Sequence, residues 1–148
     1  MGGRLARPAR RPYIVVMHLA EVTKRLWEHG IQPSSQRVAV AAWVLETTTH
    51  PSADQVFAVV RQTLPVLSRA TVYNTLHLLV DKGLLRQLTI AGGRTVFDPK
   101  LEPHHHFVDD HSGEVSDLPL STFVVQPGTP VDGIDVREVE VVVRGRRR

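Results

Sequence analysis

The chain of 148 residues has no cysteine. That absence excludes a disulfide framework, thiol redox chemistry and any zinc held by thiolates. No apolar run approaches the roughly 18 residues that a membrane-spanning helix needs, so no membrane partner is expected. The N-terminus is rich in arginine but lacks the apolar segment of a secretory leader. Nothing asks for an oxidising compartment, and the expected location is cytoplasmic.

What is there suits a small soluble protein. At 42% hydrophobic and 22% charged, the chain can build one domain, or two small ones sharing a core. The net charge is only +3, but its placement is uneven. Arg4, Arg7, Arg10 and Arg11 crowd the start, and Arg144, Arg146, Arg147 and Arg148 close the chain. Such ends read either as nucleic-acid arms or as solubilising tails. Residues 1–12 have too little apolar content for structure of their own and are expected to form a disordered basic arm.

One stretch stands apart: Asp98, then His104, His105 and His106, then Asp109, Asp110 and His111, with Asp117 just beyond. Imidazoles and carboxylates together suit iron, manganese or zinc. Taken alone, the run also reads as a polar loop.

From residue 13 the apolar period is helical. Val15, Leu19, Val22 and Leu26 lie on one face, and Gly30 stops the helix. Pro33-Ser34-Ser35 opens a second helix with Val38, Ala41, Ala42 and Leu45 inward, broken at His50-Pro51. Ser52 and Gln55 form a capping-box pattern for a third, with Val56, Val59, Val60 and Leu64 as its apolar face. Ser68 caps a fourth, running to about Lys82, with Val72, Leu76, Leu79 and Val80 inward. Arg69, Tyr73 and His77 share another face of it, with Thr71 and Asn74 beside them. That face suits phosphates and base edges, or is simply solvated. Trp27 and Trp43 read as packing residues; His18 and His29 have no visible ligand partners.

Two β-like runs follow, 84–90 and 94–97, joined by Ala91-Gly92-Gly93 as a hairpin. Helices and then a hairpin describe a winged helix-turn-helix over residues 13–97, with the fourth helix as recognition element. Residues 98–148 are β-rich, with short strands at 106–108 and 114–118, room for a short helix at 121–126, and a strand at 136–143. The expected class is α+β. About fifty residues bury too little surface to stand alone, so this half is expected to pair with a second copy. A homodimer would present two recognition helices to a palindromic site.

Several segments in this order resemble one known family: Gln36-Arg37, His50-Pro-Ser-Ala-Asp-Gln55, Ala70-Thr-Val-Tyr-Asn-Thr-Leu76, Gly92-Gly-Arg-Thr-Val-Phe-Asp98, His104-His-His106 and Gly113-Glu-Val-Ser-Asp117. Over roughly residues 20–143 the chain is similar to the ferric uptake regulator superfamily, especially its iron response regulator and peroxide regulator branches. The resemblance implies a metal-dependent regulator of transcription, a repressor by type, controlling iron or peroxide-stress genes through palindromic promoter DNA. It implies one regulatory Fe(II), Mn(II) or Zn(II) per subunit, held by His50, Asp98, His104, His106 and Asp117. For DNA it implies Arg69, Thr71, Tyr73 and Asn74 in the major groove, with Arg37 and the arginine arm adding phosphate or minor-groove contacts. With no thiol present, a ligating histidine is the expected target of peroxide when iron is bound.

Departures are informative too. Many members carry Cys-x-x-Cys pairs around a structural zinc; the first pair's positions here are Asp109 and Ser112, so that zinc is not expected. Pro103 occupies one ligand position of a secondary metal site. In the iron response branch haem can be the signal, which makes His104, His105 and His106 candidate axial ligands. Two further readings stand beside regulation. A metallohydrolase is opposed by the spacing after His106, where Asp109 and the final His111 miss the His-x-His-x-Asp-His order. A DNA-binding protein with a purely structural metal would bind its operator alike with or without added ion.

Overall fold

The computed structural model describes residues 12–90 and 92–148, with side chains from His18 onward. The expected arginine arm and the side chain of Val15 lie outside them. Four helices come first: α1 (Pro12–Glu28), α2 (Ser35–Val44), α3 (Ala53–Val60) and α4 (Arg69–Asp81). Pro12 is therefore the first helical residue, not the last of the arm, and proline is favoured there because its missing N–H needs no partner. The other three helices each start on a serine whose hydroxyl accepts a backbone N–H, from Arg37, Gln55 and Thr71 respectively. At Ser52 the capping box is complete, since Gln55 Oε1 accepts the Ser52 N–H at 2.8 Å.

The helices enclose Leu26, Val40, Val44, Val56, Leu76 and Leu79, and Leu84, Leu85 and Phe97 close the core. Two buried faces differ from the spacing. In α2 the fully buried residues are Val40, Ala41 and Val44, while Val38, Ala42 and Leu45 are only half-buried. This helix packs on α1, α3 and α4 at once, so no single stripe describes its interior. In α3 the large Phe57 takes the interior place expected for Val59, which is exposed. Trp27 is exposed as well, on the last turn of α1, and is not a packing residue.

The hairpin pairs β1 (Arg86–Ile90) with β2 (Arg94–Asp98), so that Arg86 lies opposite Asp98. Its turn holds Gly92 and Gly93 at φ of +86° and +77°, where a side chain would be strained. With α3 and α4 it completes a winged helix-turn-helix. Beyond it, β3 (His105–Asp109) sits between antiparallel β4 (Val115–Leu118) and parallel β5 (Val142–Gly145).

Two expectations for this half need correction. The strand expected at 136–143 begins only at Val142 and runs to Gly145. Residues 136–140 have no neighbouring strand among the described residues, and Glu138 and Glu140 turn to Arg86 instead. The short helix at 121–126 shrinks to a 3-10 turn at Leu120–Thr122. A second apolar cluster joins Ile90 and Val96 of the hairpin to Val108 and Val115 of the sheet. Neighbouring residues of β2 point to opposite faces, so Phe97 serves the helical core and Val96 the second one. The hairpin belongs to both halves. No helix among the described residues is long and apolar enough to cross a membrane.

Candidate metal centre

Three separate parts of the chain deliver side chains to one point. His50 lies in the link between α2 and α3, just before Pro51, whose carbonyl accepts the Phe97 N–H at 2.9 Å. That bond sets the link beside the end of β2, where Asp98 sits. His104 and His106 are two residues apart on β3 and its approach, hence on one face. Asp117 is the cross-strand partner of His106 on β4 and shares that face. One ligand atom from each of His50, Asp98, His104, His106 and Asp117 can be chosen so that all lie within 4.8 Å of one another. All but Asp117 are buried.

The polar contacts around these groups determine which atoms are free. His50 Nδ1 lies 3.1 Å from the Val115 carbonyl oxygen, and His104 Nδ1 lies 2.7 Å from that of Glu102. His106 Nδ1 lies 2.5 Å from Glu140 Oε1. A carbonyl oxygen can only accept, so Nδ1 of His50 and of His104 carries its hydrogen and their Nε2 atoms face the centre. His106 Nδ1 sits against the Glu140 carboxylate without an aligned hydrogen bond, and its Nε2 also faces inward. Asp98 Oδ1 accepts the Lys100 N–H at 2.8 Å, leaving Oδ2 inward, 3.3 Å from His50 Nε2, 2.9 Å from His104 Nε2 and 3.4 Å from His106 Nε2. Asp117 Oδ1 is 2.9 Å from His50 Nε2 and 3.2 Å from His104 Nε2. Its other oxygen meets the Lys100 ammonium at 3.2 Å.

Does this donor set fit a metal ion? Nε2 of His104 and Nε2 of His106 are 3.0 Å apart, and with both Nδ1 atoms protonated two lone pairs would face each other. A cation between them removes that repulsion. Nε2 of His50 is buried and makes no aligned hydrogen bond, although both carboxylates are close to it. Ligands at right angles, each about 2.1 Å from an ion, lie about 3.0 Å from one another. The six closest pairs here, 2.9–3.4 Å apart, are of that size, and all five atoms lie within 4.8 Å of one another. Three imidazoles and two carboxylates fit.

Electrostatics point the same way. Burial opposes charge on His50, but the adjacent Asp98 and the charges of Asp98 and Asp117 outweigh it and hold its pKa above the ordinary value. Burial likewise works against the Asp98 carboxylate, yet the adjacent His106 and His50 rings and the Lys100 amide hydrogen bond hold its pKa far below the usual carboxylate range.

His105 has a different job. Its Nε2 lies 3.3 Å from the Phe123 carbonyl oxygen, and its Nδ1 accepts the Val141 N–H at 3.3 Å. The ring faces away from the other two histidines and ties β3 to the irregular segment and to the approach to β5. The turn after β3 is held by Asp109, whose carboxylate accepts the amides of His111 at 2.8 Å and Ser112 at 3.3 Å. Those hydrogen bonds lower its pKa. His18 does have a partner, Glu46, at 2.9 Å, but no third donor joins them among the described residues.

Arg69, Tyr73, Asn74 and His77 are exposed on α4. Arg69 pairs with Asp54 and lies 4.8 Å over the Phe57 ring. Thr71 is tied into the helix cap by a 2.9 Å hydroxyl contact with Ser68, and Arg37 donates back to the Gln32 carbonyl at 2.9 Å. Tyr73 and Asn74 thus present free side chains, whereas the other three are engaged within the chain.

Glu140 and Arg86 were missed in the sequence. Both touch the centre's surroundings, and the only signal was the Glu-Val-Glu alternation at 138–140.

Comparison with known proteins agrees with this architecture. A peroxide-responsive repressor PerR from Staphylococcus aureus (strain Mu50) is 30% identical over 100 residues, 68% of each chain. The Vibrio cholerae ferric uptake regulator superposes with a TM-score of 0.66 at 19% identity, over 84% of this chain and 98% of that one. The Pseudomonas aeruginosa ferric uptake regulator with manganese gives 0.63 at 20% identity, over 85% and 97%. At such identities the two structures speak for the fold alone. The model of the ferric uptake regulator family matches residues 28–127, and the chain belongs to that family.

Proposed function

We propose that this chain is a metal-gated transcriptional repressor in which one ion per subunit, held by His50, Asp98, His104, His106 and Asp117, fixes the angle between the winged helix and the β-rich half. Family membership makes it a DNA-binding, metal-responsive regulator and not an enzyme. The observation that carries the rest is the convergence of five donors from three segments. An ion there supplies positive charge to a buried cluster of acceptors and, if it is iron, a redox couple. The chain's own residues do the positioning: the Nδ1 contacts aim three imidazoles, and Lys100 steadies both carboxylates.

Three nitrogen and two oxygen donors favour Fe(II) or Mn(II), and zinc would use fewer of them. Haem is the weaker effector, because His105 would have to release both of its backbone contacts and His104 and His106 are turned into the five-donor cluster. Members of the family act as dimers, and exposed Val124, Val131, Ile134, Val136 and Val139 offer apolar surface for a second copy of this half. A symmetric pair would set two α4 helices on a palindrome in the cytoplasm, with Tyr73 and Asn74 at base edges. Arg69, Thr71 and Arg37 would then leave their internal partners for the phosphate backbone and the groove.

The test is operator binding titrated separately with Mn(II), Fe(II), Zn(II) and haem. The response to metal is expected to vanish in His104→Ala and Asp98→Ala without loss of fold. Equal operator binding with and without every ion would instead assign the metal a purely structural role.

A further inference from the structure

The three imidazoles of the centre are not anchored alike. His50 and His104 place Nδ1 on backbone carbonyls, whereas His106 Nδ1 lies 2.5 Å from a side-chain carboxylate oxygen, Glu140 Oε1, a close buried contact in which neither atom makes an aligned hydrogen bond. A carboxylate draws the Nδ1 hydrogen more strongly than a carbonyl does. It makes Nε2 a better donor to a cation and fixes the ring. Glu140 lies just before β5, and its other oxygen is 3.2 Å from Arg86 Nη2. Glu138 Oε1 meets the same nitrogen at 3.0 Å. Arg86 begins β1, directly opposite Asp98 across the hairpin ladder.

The contacts therefore close a ring. It runs from His106 to Glu140, to Arg86, across the β1–β2 ladder to Asp98, and back to His106 Nε2, which lies 3.4 Å from Asp98 Oδ2. An ion between Asp98 and His106 would tighten one side of this ring, and the Glu140–Arg86 pair is the other side. We infer that Glu140 is a positioning residue of the metal centre: it orients His106 and, through Arg86, makes ion affinity depend on where the wing sits. This rests on the metal reading proposed above. By linkage, whatever holds the wing in place must then raise metal affinity, and metal must hold the wing.

The experiment measures Mn(II) binding to the metal-free full-length protein from the electron paramagnetic resonance signal of the free ion. The proteins are wild type, Glu140→Ala, Glu140→Gln, Arg86→Met, the Glu140→Ala/Arg86→Met double variant and Asp98→Ala. Glu140→Ala is expected to weaken Mn(II) binding about 10–100-fold, the usual effect of removing such an outer partner. Glu140→Gln, whose amide oxygen still accepts the Nδ1 hydrogen, should recover part of that loss. Arg86→Met should weaken binding in the wild-type background and change nothing further when Glu140 is already alanine.

Wild-type affinity in Glu140→Ala, or purely additive effects of the two substitutions, overturns the inference while Asp98→Ala still abolishes binding. Unchanged binding in Asp98→Ala overturns the metal reading itself and the inference with it. Metal-free melting curves identify a variant that has not folded. If that variant is Glu140→Ala, then Glu140→Gln and Arg86→Met decide, and wild-type affinity in both overturns the proposal.

Discussion

At the proposed metal centre, His50 and Asp98 tie stability to pH, and the sign of each is definite. Asp98 is held below its ordinary pKa of 3.8, so its contribution to stability is present above that pH and is lost as pH falls through its folded-state value. His50 is held above its ordinary 6.5, so its contribution is full below that pH and is lost as pH rises through its folded-state value. Metal binding instead needs neutral imidazoles and releases protons. Raising the pH from about 6 to about 8 should therefore lower the melting temperature of the metal-free protein while Mn(II) binds progressively better. Calorimetric melts of both forms across that range check it. Parallel curves for the two forms would remove His50 from the site.

At the scale of elements, the serine caps and glycine stops were legible because capping and left-handed backbone are local chemistry. Ser52→Ala removes the hydroxyl arm of a capping box and should cost about 1 kcal/mol in denaturant unfolding. Leu76, fully buried at the centre of the helical core, should cost about 2–5 kcal/mol when cut to alanine. The inner faces of α2 and α3 were less legible. Spacing identifies a helix but not how many neighbours surround it, and α2 has three. The run 136–143 misled because valine-rich alternation describes a strand only where another strand lies alongside. Asp98, His104, His106 and Asp117 lie in the stretch that composition alone singles out, but choosing them within it, and finding the distant His50, needed the family resemblance. Glu140 escaped because an acid in an alternating run looks like a solvated face.

For the whole molecule, the decisive relation is that the hairpin is shared. Val96 packs with the sheet and Phe97 with the helices, so the wing cannot shift without disturbing one core or the other. Val96→Ala, which thins only the contact with the sheet, is expected to weaken the operator's response to Mn(II) more than it weakens metal-free operator binding. A comparable loss in both would make Val96 an ordinary core residue. Sedimentation should find a dimer with or without Mn(II), since none of the exposed apolar residues at 124–139 is one of the five donors. A monomer after chelation would join assembly to the metal.

The turn at Asp109 gives that independence a practical meaning. Its carboxylate and the Ser112 hydroxyl, which accepts the Glu114 amide at 3.2 Å, hold the turn by hydrogen bonding. With no cysteine in the chain, oxidants find no sulfhydryl there to consume. Emptying and refilling become cycles of a durable instrument: a protein stripped with EDTA, stored in air and given fresh Mn(II) should regain its full operator response without a refolding step.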